Sequence, residues 1–171
     1  MLMLTPKSYT VAQVDGFIYP VILIASTRGV KRICFAPLDT IIEELNKMNM
    51  PYTIDPYHDA AIELRQYFQG QRKHFDIPVD IDGTPFQLKV WKALQSIPYG
   101  EVRSYKDIAL QIGHPRALRA VGQACGANPV PIIIPCHRVL TASGNLGGFS
   151  AGIEIKKALL DLEGTFSDKC R

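Results

Sequence analysis

A cysteine and a histidine stand side by side at Cys136 and His137, between Pro135 and Arg138. A cysteine thiolate is a strong nucleophile, and a nearby base or positive charge favours its formation by removing the thiol proton or lowering the thiol pKa. A buried structural cysteine needs none of these neighbours. Because adjacent strand residues point to opposite faces, a bridging water is favoured over direct contact between the two side chains. The motif therefore predicts a nucleophile, Cys136, with His137 as its base.

The segment before the cysteine is apolar and rich in proline. Asn128-Pro129-Val130-Pro131 leads into Ile132-Ile133-Ile134-Pro135. Proline fixes the backbone and removes a hydrogen-bond donor. The pattern predicts a stiff, buried strand that aims the residues at its end.

A glycine-rich stretch, residues 141–150, follows the cysteine and predicts a loop that walls a pocket. It lacks the GxxxxGK[ST] pattern of a phosphate-binding loop. A helix is predicted from near Ser150 to Glu163-Gly164. Glu163 falls at the C-terminal end of this helix, where the helix dipole disfavours a carboxylate. This placement predicts a tertiary role for Glu163, such as orienting His137.

Two short helices are predicted upstream of the cysteine, separated by Gly113. Ser104 caps the first helix, and Asp107 completes its capping box. Pro115 begins the second helix, which runs to about Cys125. The pair predicts a helix-turn-helix, an arrangement that also occurs in proteins that never touch nucleic acid.

The second helix carries Arg116 and Arg119 among small residues such as Ala120. Small side chains let a helix approach a groove closely, and arginine can contact phosphate or fill the gap left by a displaced base. A solvated helix face is the alternative for each arginine, and it is weaker for Arg119.

A domain boundary is predicted near Asp82-Gly83, because Thr84-Pro85-Phe86-Gln87 then opens a new helix with a capping box. Residues 1–82 are predicted to form a small α/β scaffold domain, and residues 83–171 a helix-rich domain. The scaffold domain is expected to contain an antiparallel meander, two helices and one more strand. Their predicted ranges are Tyr9–Val14, Ile18–Ala25, Val30–Phe35, Thr40–Met48, Ala60–Phe68 and Phe75–Ile81.

The charge of the chain is uneven, although its total is only +3 over 171 residues. Residues 1–83 hold eight Lys/Arg and ten Asp/Glu, a net of −2, whereas residues 84–171 hold eleven and six, a net of +5. A basic C-terminal half suits a polyanionic partner, although ordinary surface solvation also explains so modest a charge.

No signal peptide or membrane-length apolar run is recognisable, so a cytoplasmic protein, nuclear in a eukaryote, is expected without a membrane association. Cys34, Cys125, Cys136 and Cys170 are widely spaced and form no CxxC pair. They indicate neither a disulfide framework nor a zinc site. Whether Cys34 and Cys170 pair stays open.

The motif Pro135-Cys136-His137-Arg138-Val139, with Arg119-Ala120-Val121-Gly122 and Asn128-Pro129 upstream, resembles the methylated-DNA protein-cysteine methyltransferases, or O6-alkylguanine-DNA alkyltransferases. The resemblance is close over residues 84–164, whereas the N-terminal half resembles the family only in length and in its sheet-plus-helix pattern. The expected fold class is accordingly α/β (α+β): a small N-terminal antiparallel sheet-plus-helix domain followed by a helix-rich, winged-helix-like domain with a helix-turn-helix.

The resemblance implies a catalytic role for five residues. Cys136 would be the nucleophile, His137 its base through a water, and Glu163 the group that holds His137. Asn128 would brace the active-site turn, and Tyr105 would donate toward the departing base and press on the phosphate of the flipped nucleotide.

The resemblance also implies a set of substrate and DNA contacts in the minor groove. Arg119 would occupy the stack vacated by the flipped base, while Ser150 and the backbone around Val139 would bond the extruded guanine. Phe149 stands where the family often has tyrosine, which bears on substrate range. The full predicted set is Arg116, Arg119, Ala120, Pro131, Val139, Phe149 and Ser150.

The implied reaction is the transfer of an alkyl group from guanine O6 in duplex DNA to Cys136, once per molecule. It needs no cofactor, and neither a metal nor an obligate protein partner is expected. Some family members bind zinc through N-terminal cysteines and histidines, whereas Cys34 is the only cysteine of this half and no matching cluster accompanies it. Reaction with alkylated thymine and the range of alkyl groups stay open. Three alternatives remain. A non-catalytic lesion sensor would not need the nucleophile Cys136, and a cysteine hydrolase is disfavoured because a water is expected to separate Cys136 from His137. A transcription factor would leave the Cys136-His137 pair unexplained.

Overall fold

The computed structural model describes residues 8–165 and divides the chain into two compact units, residues 1–81 and 82–171. The mixed α/β class expected from the sequence is confirmed. Cys34, Cys125 and Cys136 are free thiols within the described range, and Cys170 lies outside it. Among residues 8–165, no helix combines the length and apolarity needed to cross a bilayer.

The N-terminal unit is built on a four-stranded sheet of β1 (Tyr9–Val14), β2 (Val21–Ser26), β3 (Gly29–Cys34) and β4 (Tyr52–Ile54). The strand order is β3-β2-β1-β4. The first three form the expected antiparallel meander, and β4 pairs in parallel with β1. The sequence did not predict β4, because three residues carry too little periodicity to indicate a strand.

The strand predicted at Phe75–Ile81 is wrong. Within this segment Val79 forms an isolated bridge with Val30, through Val30 N donating to Pro78 O at 2.9 Å and Asp80 N donating to Val30 O at 2.8 Å. Pro78 has no backbone N–H to extend this ladder, so the backbone of the segment pairs with the sheet only at Val79.

Two helices complete the N-terminal unit, α1 (Leu38–Lys47) and α2 (Asp59–Phe68). Ile41 and Leu45, one turn apart on α1, are buried against Val11, Ile22 and Ile24 of the sheet. The helical spacing of apolar residues predicted this face, because residues three to four apart share one side of a helix.

The C-terminal unit contains four helices, a short 3-10 turn and a two-stranded parallel sheet among its described residues. The helices are α3 (Pro85–Gln95), α4 (Tyr105–Gln111), α5 (Leu118–Gly126) and α6 (Ile153–Leu162); the strands are β5 (Arg103–Ser104) and β6 (Val139–Leu140); the 3-10 turn is Cys136–Arg138. Helices α3, α4 and α5 pack on one another. Both predicted capping boxes are present, at Thr84 with Gln87 and at Ser104 with Asp107.

Two helix starts differ from the sequence prediction. Helix α5 begins at Leu118 rather than Pro115, because Ala117 N bonds to His114 O in a separate turn before the helical bonds start. Helix α6 begins at Ile153 rather than near Ser150, because Gly152 has a φ of 106°, outside the helical region.

The sheet edge near Gly29 requires glycine. Gly29 has a φ of 148°, and a Cβ there would lie 2.3 Å from Pro78 O. We expect Gly29→Ala to lower the free energy of unfolding by about 3 kcal/mol through backbone strain and displacement of the Pro78 segment. Urea unfolding followed by far-UV circular dichroism measures this loss.

Gly16→Ala is the matched control, since Gly16 also has a positive φ, 103°, but nothing lies within 4 Å of the added Cβ. It should cost only about 1 kcal/mol of conformational strain. Equal losses for the two variants would contradict the steric explanation.

Candidate active site

The residues before Cys136 form a tight turn rather than the predicted buried strand. Ile134 N donates to Val130 O at 2.9 Å, and Ile132 has a φ of 77°, a conformation rare for a β-branched residue. The sequence prediction failed because an apolar, proline-flanked run is equally compatible with a buried strand and with a buried turn whose polar groups are bonded locally.

Asn128 supplies the hydrogen bonds that hold this turn. Its Nδ2 donates to Ile134 O at 2.7 Å and to Cys136 Sγ at 3.1 Å, and its Oδ1 accepts from Val130 N at 3.0 Å. The side chain is buried. One amide therefore joins both ends of the turn and contacts the candidate nucleophile.

A buried ionic cluster lies behind the cysteine and centres on Glu163. His137 Nε2 lies 2.9 Å from Glu163 Oε1. Arg138 donates to the same carboxylate through Nε at 2.9 Å and Nη2 at 2.8 Å, and its Nη1 donates to Ile97 O at 2.5 Å. Gly100 N adds a bond of 3.2 Å to Glu163 Oε2. The carboxylate thus accepts from two side chains and one backbone group.

The second ring nitrogen of His137, Nδ1, is buried and has no hydrogen-bond partner among the described protein groups. An ionised carboxylate can only accept, so the neutral imidazole carries its proton on Nε2, toward Glu163. This tautomer leaves a lone pair on Nδ1. His137 is therefore oriented as a proton acceptor.

Cys136 opens into a cavity of about 840 Å³. Four other predicted site residues line the same cavity: Tyr105, Arg119, Phe149 and Ser150. Arg116 lines a separate hollow at the turn before α5. Ala120, Pro131 and Val139 lie outside the residues that line the cavity, and Pro131 and Val139 are buried.

Tyr105 occupies a narrow space between the loop and α5. A Cβ at Gly147 would lie 3.2 Å from the Tyr105 hydroxyl, and one at Gly122 would lie 3.9 Å from its ring. Gly147 also has a φ of 67°, a conformation that favours glycine. The absence of side chains at these positions leaves room for the tyrosine in the cavity wall.

Lys156 is a buried residue of the site that the sequence prediction missed. Its Nζ donates to Val139 O at 2.6 Å and to Leu146 O. A signal was present: Lys156, Leu159, Leu160 and Glu163 follow helical spacing and are all buried. Lysine at a core position of this pattern indicates a buried ammonium with nearby acceptors.

Comparisons with known proteins agree with this geometry. Residues 85–165 match the family described as 6-O-methylguanine DNA methyltransferase, DNA binding domain. A methylated-DNA–protein-cysteine methyltransferase of Methanosarcina barkeri is 43% identical over 158 residues, which cover 88% of this chain and 94% of that protein. This chain belongs to the methylated-DNA–protein-cysteine methyltransferase family.

Two further family members extend the comparison. The inducible methyltransferase of Bacillus subtilis is 54% identical over 110 residues, which cover 64% of this chain but only 60% of that protein. The crystal structure of Mycobacterium tuberculosis OGT in complex with DNA has a TM-score of 0.77 and 42% identity, over 91% of this chain and 92% of that one. The similarity in fold therefore extends to the N-terminal unit as well.

Burial has the largest effect on the ionisation of Cys136, the candidate nucleophile. It raises the pKa of the Cys136 thiol to about 11, against the opposing effects of the Asn128 hydrogen bond and the Lys156 charge. The positive charge of Lys156 does lower the thiol pKa, as expected of a neighbouring cation, but desolvation of the thiolate is the larger effect. Cys136 is a thiol at neutral pH and needs a base.

His137 has the properties of that base. Burial lowers its pKa below the ordinary 6.5, the hydrogen bond and charge of Glu163 oppose this effect, and Arg138 and Lys156 add to it. The imidazole is therefore neutral at physiological pH. Among residues 8–165, no group of three or more His, Cys, Asp or Glu side chains is arranged to hold a metal ion.

A substitution at Arg138 tests how much the buried ionic cluster around Glu163 stabilises the protein. We expect Arg138→Met to lower the free energy of unfolding by about 3–5 kcal/mol, because Glu163 keeps a buried charge without its cationic partner. Urea unfolding followed by the fluorescence of Trp91, which is buried, measures the loss.

Arg103→Met is the control, since Arg103 pairs with Glu101 at 2.8 Å on the surface, with their side chains 42% and 50% exposed. Removing an exposed pair should cost less than about 1 kcal/mol. Similar losses in both variants would show that burial of the Glu163 cluster is unimportant.

Proposed function

We propose that this protein repairs DNA by direct reversal of alkylation, moving the alkyl group from guanine O6 onto Cys136. The observation that carries the proposal is the Cys136 thiol at the wall of a large cavity, next to a neutral histidine held by a buried carboxylate. The names of the family relatives support the same reaction.

In the proposed reaction, each buried group near Cys136 has one role. His137 takes the thiol proton through a bridging water, and Glu163 stabilises the resulting imidazolium. The Cys136 thiolate attacks the alkyl carbon, the bond from that carbon to O6 breaks, and a carbon–sulfur bond forms. The guanine leaves with the electron pair and gains a proton. Asn128 holds the sulfur in place through its hydrogen bond of 3.1 Å.

The reaction consumes the protein. Its product is a thioether at Cys136, and reversal would require a nucleophile able to displace a thiolate from an alkyl carbon. None of the groups that we assign to the site acts as a nucleophile that could displace the Cys136 thiolate from the alkyl carbon. One alkyl group per molecule is the expected stoichiometry, and the lesion itself supplies the alkyl group, so no cofactor takes part.

We propose that the guanine reaches Cys136 by flipping out of duplex DNA into the cavity from the minor groove. A base must leave the stack before its O6 substituent can meet a buried thiol. Arg119, which is exposed and also lines the cavity, would fill the vacated space, and the small Ala120 would let α5 approach the groove. The crystal structure of Mycobacterium tuberculosis OGT with DNA supports a DNA partner.

The cavity wall would recognise the flipped base. Burial raises the pKa of Tyr105, so its hydroxyl keeps the proton that it would donate toward the departing guanine. Ser150 and the backbone around Val139 would bond the base, and Phe149 would pack against it. Arg116, which is exposed, completes the proposed contact set outside the cavity, whereas the burial of Pro131 argues against the direct contact predicted for it.

Transfer is tested directly by mass spectrometry after mixing the protein with a duplex containing one O6-methylguanine. We expect one added methyl per protein, on the Cys136 peptide, because the thioether is stable. Cys136→Ala should abolish the adduct and retain DNA binding, whereas Cys34→Ser, a change in the other unit, should retain both. Tight lesion binding by the unmodified chain without any adduct would replace this proposal with a lesion sensor.

Arg119→Ala tests base flipping. The variant should transfer methyl from duplex DNA about 10-fold or more slowly, because a base that returns to the stack costs a few kcal/mol to extrude again. Reaction with the free base O6-methylguanine should change by less than about 2-fold, since that substrate needs no extrusion. Rates from quenched mixtures analysed by mass spectrometry give both values, and equal losses would contradict the role of Arg119.

A further inference from the structure

A tight turn connects α3 to β5 at residues 98–101, which we call the Tyr99 turn. Glu101 N donates to Pro98 O at 3.1 Å and closes the turn. Gly100, its third residue, has a φ of 78°, a conformation that favours glycine at this position of a turn. The sequence Pro98-Tyr99-Gly100-Glu101 therefore specifies the turn locally and fixes where Tyr99 and Gly100 lie.

Tyr99 caps the helix that leads to Glu163. Its hydroxyl donates to Leu162 O at 3.0 Å. Burial raises the pKa of Tyr99, and the charge of Glu163 raises it further, so the hydroxyl keeps the proton that this bond requires. Leu162 is the last residue of α6, where carbonyl groups have no partner within the helix. The tyrosine thus supplies a missing partner directly before Glu163.

The backbone on both sides of Glu163 meets the Tyr99 turn. The Leu162–Glu163 peptide is planar, its oxygen accepts from Tyr99, and its nitrogen donates to Leu159 O at 3.1 Å. On the other side, a Cβ on Gly100 would lie 3.2 Å from Glu163 O. Gly100 N also donates to Glu163 Oε2 at 3.2 Å. Two adjacent residues of the turn therefore fix the position from which the Glu163 side chain extends.

The same segment contacts the cation that pairs with Glu163. The guanidinium carbon of Arg138 lies 5.9 Å from the centroid of the Tyr99 ring, within the range of a cation–π contact. Ile97 O, directly before the turn, accepts from Arg138 Nη1 at 2.5 Å. Because Glu163 Oε1 also lies 2.9 Å from His137 Nε2, any shift of this ion pair changes the bond that selects the His137 tautomer.

We propose that Tyr99 is a positioning residue, whose hydroxyl and ring fix Glu163 and Arg138 so that His137 keeps its proton on Nε2 and presents Nδ1 as an acceptor. Tyr99 lies outside the residues that line the cavity, so it acts through Glu163 rather than on a substrate. The use of His137 as the base for Cys136 rests on the proposed function, whereas the effect of Tyr99 on the imidazole does not.

The first readout is the tautomer of His137. Long-range proton–nitrogen NMR distinguishes a protonated from an unprotonated ring nitrogen, and a His137→Gln sample identifies the signals of His137 among the four histidines. The unchanged protein should show the Nε2–H tautomer alone. Tyr99→Leu removes both the hydroxyl and the ring, so a second tautomer should become detectable. Tyr99→Phe keeps the ring and should show a smaller change.

The second readout is alkylation of Cys136 by iodoacetamide, a small neutral electrophile that reacts with the thiolate. Peptide mass spectrometry separates Cys136 from Cys125, which lines the same cavity. A misplaced His137 accepts the thiol proton less readily. We expect Tyr99→Phe to react about 5-fold more slowly and Tyr99→Leu about 10-fold more slowly, the effects of losing one hydrogen bond and of losing the ring contact as well.

Two glycine variants provide a matched pair. Gly100 and Gly113 have nearly equal φ values, 78° and 76°, so alanine brings the same backbone strain at both positions. A Cβ at Gly113 meets nothing within 4 Å, whereas one at Gly100 presses on Glu163 O. Gly100→Ala should alkylate about 10-fold more slowly, and Gly113→Ala should stay within about 2-fold of the unchanged protein, because only the first displaces Glu163.

Two results would overturn the proposal. One is a folded Tyr99→Leu that keeps the single His137 tautomer and the unchanged alkylation rate, since a loss of stability alone would make Tyr99 merely structural. The other is a Gly113→Ala that is slowed as much as Gly100→Ala. The fluorescence of Trp91 reports whether each variant is folded. If Tyr99→Leu does not fold, Tyr99→Phe takes its place under the same criteria.

A parallel measurement keeps this test separate from the proposed function. The unchanged protein is mixed with an O6-methylguanine duplex and analysed for a methyl on Cys136. Absence of the methyl would contradict the repair reaction, while the tautomer of His137 would still report on Tyr99. Normal methylation of the unchanged protein, together with a Tyr99→Leu variant that is unaltered in both readouts, would contradict the role of Tyr99 alone.

Discussion

The buried carboxylate of Glu163 is the group on which the rest of the active site depends. A carboxylate without partners would be too costly to bury, and here it accepts from His137, Arg138 and Gly100 N. These bonds draw the end of α6 onto the 3-10 turn and select the tautomer of His137. One ionic cluster thus stabilises the unit and orients the proposed base, His137, beside the proposed nucleophile, Cys136.

The site combines a thiol whose pKa is raised by burial with neighbouring groups that favour the thiolate. Burial keeps Cys136 protonated, which protects it from indiscriminate oxidation and alkylation. The hydrogen bond from Asn128 and the charge of Lys156 both favour the thiolate, and the neutral His137 is placed to accept its proton. Such an arrangement would suit the proposed single transfer, because a nucleophile spent on another electrophile could not be recovered.

The backbone around the cavity follows from the same requirements. Ile132 adopts an unfavourable φ of 77°, and the bonds of Asn128 to Val130 N and Ile134 O hold the turn that contains it. Gly147 leaves space for Tyr105 in the cavity wall. A strained residue in the turn before Cys136 and a glycine in the loop after it thus both help to shape the site.

The sequence by itself determined the parts of this protein that depend on neighbours along the chain. The capping boxes at Thr84 and Ser104, the meander and the adjacent Cys136 and His137 are all local patterns, and hydrogen bonds or side-chain spacing within a few residues specify them. Only the tertiary structure decided that residues 128–135 form a turn, that Lys156 is buried and that the Cys136 pKa is raised. These features arise from contacts such as Arg138 with Glu163, 25 residues apart, and from the loss of water around the thiol, neither of which is encoded in local spacing.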